Sequence, residues 1–330
     1  MPTPLLETVD VVKSFPVRKG FLGRRQLLVA VDGVSLKINK GETLGMVGES
    51  GCGKSTLGLT IMRLYEPTSG KVLIEGEDIA SLDAGKLRLA RRQMQMIFQD
   101  PFASLDPRLT VEHLIREPLD IHGIGTVAER SAEVRRLLRI TGMPADAAAR
   151  FPSEFSGGQQ QRIGIARALA LQPKLLICDE PVSALDVSVQ AQILNLLRDI
   201  QQTFELTYLF ISHNISVTAF MSRRIGVMYL GKLVEIGPSQ EILNQPFHPY
   251  TQALLKAIPR PIPKRKRDKR VILGEIPSPI NPPSGCRFHP RCPLAQDICK
   301  HTVPETRELA PEHFVACHFA EQAAATSKVF

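Results

Sequence analysis

The sequence contains no tryptophan, and aromatic residues make up only 5% of the chain. Proteins that bind single-stranded nucleic acid stack bases on aromatic side chains, so this composition argues against a nucleic-acid partner. No apolar run approaches the roughly 18 residues that a membrane-spanning helix requires. The start of the chain also lacks a basic segment followed by an apolar one, which is the pattern of a secretory signal. We therefore expect a cytosolic chain that does not itself cross a membrane.

Length and charge narrow the possibilities further. The 330 residues are long for one domain, and predict either one large domain with an appendage or two domains. Hydrophobic residues make up 43% of the chain, which is enough for a packed core. Part of the net charge of +8 is concentrated in a run from residue 264 to 270. Such a run is typical of a solvated linker, and contact with nucleic acid or an anionic membrane is the alternative.

Residues 1 to about 260 alternate between strand patterns and helix patterns. Short apolar and β-branched runs predict strands at 29–38, 43–47, 175–178 and 207–211. A helix is predicted from Val187 to about Phe204, because an apolar face recurs there at a spacing of 3.6 residues. That face is formed by Ile193, Leu196, Leu197 and Ile200. Alternation of this kind predicts an α/β domain with a mainly parallel sheet.

Two segments depart from the alternation. From residue 101 to about 155 the pattern is helical without a convincing strand, which predicts a helical insertion inside the α/β domain. After about residue 260 prolines become frequent as far as Pro293, which makes regular elements unlikely there. The sequence therefore predicts a main domain at 1–260 and a loop-rich C-terminal extension at 261–330.

A glycine-rich motif follows the second predicted strand. Residues 48–55 read Gly-Glu-Ser-Gly-Cys-Gly-Lys-Ser and fit the P-loop pattern G-x-x-x-x-G-K-[ST] between a strand and a helix. The glycines let backbone N–H groups surround phosphate oxygens at the positive end of the helix. Lys54 supplies a charge to the outer phosphates and Ser55 a hydroxyl ligand for Mg²⁺. The predicted nucleotide-binding residues here are Gly48, Ser50, Gly51, Cys52, Gly53, Lys54, Ser55 and Thr56.

A second motif is an apolar strand that ends in two carboxylates, Asp179 and Glu180. The carboxyl ends of parallel strands share the sheet edge at which a P-loop lies. Asp179 suits Mg²⁺ binding, and Glu180 suits activation or orientation of the attacking water. Together the two motifs predict a P-loop NTPase.

Shortly before that strand lies Ser156-Gly157-Gly158-Gln159, in which Ser156 is predicted to cap a helix whose N-terminus faces an anion. This S-G-G-Q sequence resembles the signature of ATP-binding cassette (ABC) ATPases. The resemblance implies an α/β ABC ATPase fold, ATP and Mg²⁺ as cofactors, and nucleotide contacts from the whole signature.

The rest of the ABC pattern is present in order. Gln99 resembles the glutamine that senses Mg²⁺ or the attacking water, and 183–186 resembles the D-loop. His213 resembles the histidine that contacts the γ-phosphate, although the usual following aspartate is Asn214 here. Phe15 is either the aromatic residue that stacks on adenine or an ordinary core residue.

Two further stretches resemble the ATPase subunits of dipeptide/oligopeptide importers. One is the sequence that continues from Glu180 to Gln192, and the other is the tail, which contains His248-Pro-Tyr and Cys286-Arg-Phe-His-Pro-Arg-Cys. The segment beginning at Phe15 looks most like the F-type subunit. This resemblance implies a bacterial importer with a second, non-identical ATPase, two transmembrane permease subunits and an external peptide-binding protein. The chain would then lie peripherally on the cytoplasmic face of the inner (plasma) membrane.

The family resemblance also implies a mechanism. Two ATPases pack head to tail, so that each ATP lies between the P-loop lysine of one chain and the signature serine of the other. Binding closes the pair, hydrolysis reopens it, and the helical insertion passes the motion to the membrane subunits.

Several rival functions fit parts of the sequence. Related importers of nickel, glutathione, murein peptides or antimicrobial peptides share these motifs. A nucleic-acid-linked ABC ATPase would usually carry a long coiled-coil insertion or two cassettes in tandem, and neither occurs here. Intact Lys54, Asp179, Glu180 and His213 argue against a regulatory subunit with an inactive site.

Four of the six cysteines, Cys286, Cys292, Cys299 and Cys317, lie in the tail, whereas Cys52 and Cys178 lie inside motifs and are predicted to be buried. A cysteine cluster in a cytosolic chain points to metal before disulfides. Four thiolates suit either zinc or an iron–sulfur cluster, and no pair has the C-x₂-C spacing typical of zinc ribbons. The family resemblance implies a [4Fe–4S] cluster, with Zn²⁺ as the alternative. Since these residues lie far in sequence from the ATP motifs, we expect them to stabilise the tail and not to act in hydrolysis.

Overall fold

A computed structural model describes residues 3–18, 25–258 and 274–326. Its strands are β1 (Leu6–Arg18), β2 (Arg25–Ile38), β3 (Thr43–Val47), β4 (Ser69–Ile74), β5 (Glu77–Asp78), β6 (Met94–Ile97), β7 (Leu175–Asp179), β8 (Thr207–Ser212), β9 (Arg224–Tyr229), β10 (Lys232–Pro238), β11 (Thr306–Ala310) and β12 (His313–Ala316). Its α-helices are α1 (Lys54–Ile61), α2 (Ala84–Ala90), α3 (Pro101–Ser104), α4 (Val111–His122), α5 (Val127–Ile140), α6 (Gly157–Leu169), α7 (Val187–Phe204), α8 (Ile215–Met221), α9 (Ser239–Asn244), α10 (Pro249–Lys256), α11 (Asp297–His301) and α12 (Ala320–Thr326). The basic run at 264–270 and the predicted boundary at 260/261 lie outside the described residues.

The chain divides into two compact units. The first comprises Met1–Leu6, Ile38–Thr43 and Leu73–Ser212, and the second comprises Glu7–Lys37, Leu44–Val72 and His213–Phe330. Within the described parts of both units, no helix is both long and apolar enough to cross a membrane.

The first unit is built on parallel strands. β6 pairs with β7 and β7 with β8, and every residue of β7 and β8 is buried. Both strands therefore read as continuous apolar runs, as strands covered on both faces do. Helix α7 has the predicted bounds, but its buried residues are Ile193, Leu194, Leu197 and Ile200. Three of the four residues predicted for the apolar face are therefore buried. The prediction was wrong for Leu196, which is only half-buried, and it missed Leu194, which is buried.

The segment between β6 and β7 contains the predicted helical insertion. Residues 101–155 form helices α3, α4 and α5 and two short 3₁₀ helices, Ala145–Ala149 and Pro152–Glu154, and contain no strand. Helix α6 then leads to β7. Helix α5 begins with a capping box, in which Thr126 Oγ1 accepts the Glu129 N–H and Glu129 accepts the Thr126 N–H. Local capping therefore defines where this helix begins.

The second unit has a mixed sheet. β3 and β9 are parallel, and β9, β10, β12 and β11 follow as antiparallel neighbours. Over 274–296 only the 3₁₀ helix His289–Arg291 forms, as a loop-rich tail requires, but the prediction is wrong beyond it, because helices α11 and α12 form there and β11 and β12 make a hairpin. Proline does not prevent this hairpin, because Pro311 lies in the turn between the two strands and not within either.

A buried carboxylate fastens this hairpin to the rest of the unit. Glu235 on β10 is 1% exposed and accepts hydrogen bonds from the N–H groups of Phe247 (2.6 Å) and His248 (3.1 Å). Its Oε1 also lies 2.8 Å from Nε2 of His313, the first residue of β12. One side chain therefore satisfies three groups, two in the segment before α10 and one on β12, and its loss would leave them buried without this partner.

Replacement of Glu235 should be costly for stability. We expect Glu235→Ala to lower the free energy of unfolding by about 3–5 kcal/mol, because three buried groups lose their hydrogen-bond partner at about 1–3 kcal/mol each. Denaturant unfolding of the full chain measures this. Glu241→Gln, at an exposed position of α9, is the control and should change stability by no more than about 0.5 kcal/mol. Equal stability of the two variants would contradict the role of Glu235.

Candidate functional site

The glycine-rich loop joins β3 to α1, as the sequence predicted. Gly48 and Gly53 have φ angles of +156° and +105°. A Cβ at Gly48 would lie 2.2 Å from the Met228 carbonyl oxygen, and a Cβ at Gly53 would lie 2.0 Å from that of Ala30. Only glycine fits at these two positions, because real Cβ atoms do not approach a backbone so closely.

Lys54 is the first residue of α1 and is only 4% exposed. Its Nζ donates hydrogen bonds to the carbonyl oxygens of Gly48 (2.9 Å) and Glu49 (3.1 Å). Ser55 and Thr56 follow in the first turn of the helix, which contains no acidic residue. The loop therefore combines a buried lysine, hydroxyl groups and a helix N-terminus, which together suit a polyphosphate.

The two predicted carboxylates lie at the end of β7 and are nearly buried, Asp179 at 6% and Glu180 at 8% exposure. Glu180 has a φ of +45°, a left-handed conformation that costs a non-glycine residue about 1–3 kcal/mol. Its N–H donates to the Ile211 carbonyl (2.9 Å), and its own carbonyl accepts from the Ser183 hydroxyl (3.0 Å). Gln99, just beyond β6, donates from Nε2 to Glu180 Oε2 at 3.3 Å. The structure thus brings together two residues that are 81 positions apart.

The signature residues begin helix α6. Ser156 is the N-cap, in a capping box in which its Oγ accepts the Gln159 N–H (3.4 Å) and Gln159 Oε1 accepts the Ser156 N–H (3.0 Å). The predicted cap is therefore confirmed. A Cβ at Gly158 would lie 2.5 Å from Val189 Cγ1 on α7, so this glycine permits close packing of the two helices. Ser156 and Gln159 form the exposed start of a well-capped helix.

His213 is exposed and follows β8 directly. Asn214, which departs from the family's aspartate, is the N-cap of α8, and its Oδ1 accepts the N–H groups of Ser216 (3.0 Å) and Val217 (3.3 Å). Asparagine and aspartate are equally good N-cap residues. The substitution therefore preserves the local structure next to His213.

Phe15 on β1 is half-buried and meets Tyr65 edge to face, with ring centroids 5.2 Å apart. Lys13 Nζ lies 4.9 Å from the centre of the Phe15 ring. The ring therefore belongs to a small aromatic and cationic cluster, which is a common arrangement.

One set of contacts near the loop was not predicted. Arg291, in the cysteine-rich tail, forms two hydrogen bonds with Glu49, from Nη1 to Oε2 (2.8 Å) and from Nη2 to Oε1 (3.0 Å). The Tyr250 hydroxyl accepts the Glu49 N–H at 2.8 Å. The tail therefore contacts the glycine-rich loop, although the two lie far apart in sequence. The importer-like stretches of the tail contain both contact residues, Tyr250 and Arg291, but no local sequence pattern predicts that either contacts Glu49.

The six cysteines differ in environment, and none forms a disulfide. Cys52 and Cys178 are buried, as predicted, at 4% and 0% exposure. Burial raises the pKa of the Cys292 thiol to about 11 and that of Cys317 to about 12, and neighbouring tail cysteines raise both further.

The four tail cysteines do not form a ready-made metal site. In the part of the chain that the structure describes, no group of three or more Cys, His, Asp or Glu side chains is arranged to hold a metal ion. The Phe319 N–H donates to Cys317 Sγ at 3.4 Å, and backbone N–H groups at Phe288 and Leu294 reach Cys286 and Cys292.

Comparisons with family models and characterised sequences agree along the chain. A model described as ABC transporter matches residues 31–183, and one for the C-terminal region of oligopeptide/dipeptide transporters matches residues 234–299. The chain is 56% identical over 318 residues to the oligopeptide transport ATP-binding protein AppF of Bacillus subtilis, covering 95% of this chain and 97% of that protein. It is 51% identical over 315 residues to a putative peptide import ATP-binding protein of Brucella ovis, covering 96% and 98%.

Solved structures give the same fold. The chain resembles the ATP-binding cassette MJ0796, described as a dimer in a post-hydrolysis state bound to ADP and Pi, with a TM-score of 0.63 and 30% identity. The match covers 71% of this chain and 98% of that one. CbiO1 of Clostridium perfringens, at 24% identity and a TM-score of 0.62 over 73% and 90% of the two chains, has the same fold.

Proposed function

The chain belongs to the ABC transporter ATP-binding subunits of the oligopeptide/dipeptide importer family, and from that premise we propose how its residues power import. The chain is an ATPase of a peptide importer. The observation that carries the site assignment is the glycine-rich loop, in which Gly48 and Gly53 admit no side chain and Lys54 is buried against the loop carbonyls.

The phosphate-binding roles belong to the second compact unit. Backbone N–H groups of residues 48–56 and the ammonium group of Lys54 bind the phosphates of ATP, and the Ser55 hydroxyl ligates Mg²⁺. His213 contacts the γ-phosphate, and Phe15 stacks on the adenine. A Mg²⁺ ion held by Ser55 and Asp179 would supply positive charge to the phosphates during hydrolysis.

The hydrolytic roles belong to the first compact unit. Asp179 contributes to Mg²⁺ binding, and Gln99 senses the metal or the attacking water. Glu180 is the general base that accepts a proton from that water. Its strained backbone, fixed by bonds to Ile211 and Ser183, and the bond from Gln99 support this assignment, because strain of this kind clusters at active sites.

The chain works with partners. A second, non-identical ATPase packs against it head to tail, so that Ser156 to Gln159 contact the ATP held by the other chain. The exposed, capped start of α6 supports this role, and the similar cassette MJ0796 is described as dimeric. The pair acts peripherally on two transmembrane permeases at the cytoplasmic face of the inner membrane. An external protein delivers the peptide to those permeases.

Glu180→Gln should separate binding from hydrolysis. We expect the variant complex to bind ATP normally and to lose turnover at this site by at least about a hundredfold, the usual contribution of a general base. The assembled transporter in vesicles is assayed for phosphate release and for retained nucleotide. Near-normal ATPase activity at this site would refute the assignment of Glu180.

Ser156→Arg tests the head-to-tail arrangement. The bulky cation should block the end of α6 and slow hydrolysis at the partner's P-loop by about a hundredfold, the scale of one lost donor at a developing charge. ATP binding at this chain's own P-loop should be unchanged. Site-specific photolabelling of the two chains measures the difference. Loss of labelling on this chain with full partner activity would show that the signature acts in cis.

We also infer that Cys286, Cys292, Cys299 and Cys317 hold a [4Fe–4S] cluster. Four free thiols in one tail segment, with backbone N–H groups donating to sulfur, are the donor chemistry that such a cluster needs. Since burial raises the pKa of the Cys292 and Cys317 thiols, metal binding must displace protons from these two. The cluster would stabilise the tail by cross-linking it.

Metal analysis of anaerobically purified protein tests this inference. The protein should be brown and should contain about four irons per chain. Replacing Cys317 by serine should lower the iron content, whereas Cys178→Ser should not. Colourless protein that contains one zinc per chain would show that the four cysteines bind zinc and not an iron–sulfur cluster. Metal-free protein with four reactive thiols would reject both.

A further inference from the structure

Glu49, the second residue of the phosphate-binding loop, is held by three separate contacts. Arg291 binds both of its carboxylate oxygens, and Tyr250 accepts its backbone N–H at 2.8 Å. Its carbonyl oxygen accepts a hydrogen bond from Lys54 Nζ at 3.1 Å. Glu49 therefore links the tail directly to the lysine that binds phosphate.

The position of Glu49 creates an electrostatic problem for an anion site. A carboxylate in this loop repels the triphosphate, and if its side chain were free to turn toward Lys54 it would also compete with the phosphates for that ammonium group. Arg291 opposes both effects, because its positive charge binds both carboxylate oxygens of Glu49. The Arg291 side chain is only 5% exposed and that of Glu49 is 22% exposed. A pair so poorly hydrated is weakly screened by salt.

Arg291 is itself rigidly placed. It ends the 3₁₀ helix that begins at His289, and its N–H donates to the Phe288 carbonyl at 3.0 Å. Phe288 is 2% exposed and packs edge to face on Tyr229, with ring centroids 5.2 Å apart. Arg291 also donates from Nη1 to the Tyr229 hydroxyl at 3.3 Å. The packing of Phe288 against Tyr229 and the hydrogen bond to the Tyr229 hydroxyl therefore orient the guanidinium group toward the loop.

We propose that Arg291 is a positioning residue of the ATP site, which neutralises and fixes Glu49 so that Lys54 is available to the phosphates. This inference rests on the proposed ATPase function. It assigns to the tail a part in nucleotide affinity, which is separate from the chemistry of hydrolysis. Because Arg291 acts before the chemical step, its loss should change ATP affinity far more than the turnover number.

Arg291→Gln tests the proposal in the full chain and in the assembled transporter. We expect the Kd for a fluorescent ATP analogue and the KM for ATP to rise about tenfold. The kcat at saturating ATP should stay within about twofold, since no group at the reacting atoms is changed. Arg291→Lys keeps the charge but loses the two-pronged geometry, and should fall between Arg291→Gln and the unmodified protein.

A rescue variant separates electrostatics from packing. In the double variant Arg291→Gln/Glu49→Gln the unpaired carboxylate is gone, so ATP affinity should recover to within about threefold of the unmodified protein. A purely structural defect would not be rescued by the second substitution.

The tail offers a matched control. Arg307 and Glu321 form a similar two-bond pair, at 2.9 and 3.1 Å, on an exposed surface. Arg307→Gln should leave ATP affinity unchanged. Normal ATP affinity in folded Arg291→Gln would overturn the proposal, as would an equal defect in the single and double variants. Failure of the unmodified complex to bind ATP would instead refute the proposed function itself.

Discussion

The phosphate-binding loop depends on a backbone approach that excludes any side chain. Gly48 lies against the carbonyl of Met228 and Gly53 against that of Ala30, each too close for a Cβ atom. The Gly231 N–H then donates to the Cys52 carbonyl at 2.8 Å, which ties the β9–β10 turn to the loop. Because the loop packs directly against the backbone of Ala30 and Met228, the orientation of its N–H groups and of Lys54 depends on the packing of the second compact unit.

The C-terminal tail extends this constraint. Arg287 donates to Asp32 and to the Leu230 carbonyl, and Arg291 pairs with Glu49. Asp32 and Leu230 both adjoin Gly231, whose N–H donates to the loop at Cys52. Leu230 precedes Gly231 in the chain, and the Asp32 N–H donates to the Gly231 carbonyl at 2.9 Å. Two arginines of one cysteine-rich segment therefore brace both the loop and its support. Within the second compact unit, the tail is therefore joined to the glycine-rich loop by specific side-chain contacts.

Strong local signals explain the successful predictions. The strands ending at Val47 and Asp179 are short, apolar and flanked by motifs, so their bounds were nearly correct. The cap at Ser156 was predicted because a capping box needs only residues three apart. The hairpin β11–β12 was missed because the loop-rich prediction was extended past Pro293, where the frequent prolines end, to the end of the chain. Leu194 was missed because burial on α7 depends on the neighbouring elements, which the helix's own spacing does not describe.

By itself the sequence determined the fold class, the P-loop, the acidic strand end and the signature, because each is encoded by consecutive residues with fixed backbone requirements. Tertiary structure alone decided which distant groups meet. Gln99 reaches Glu180, His313 reaches Glu235, and Arg291 reaches Glu49 across 242 positions. Such pairs leave no periodic trace, since any arginine could meet any glutamate. Only the packing of buried strands and rings brings a particular pair within hydrogen-bonding distance.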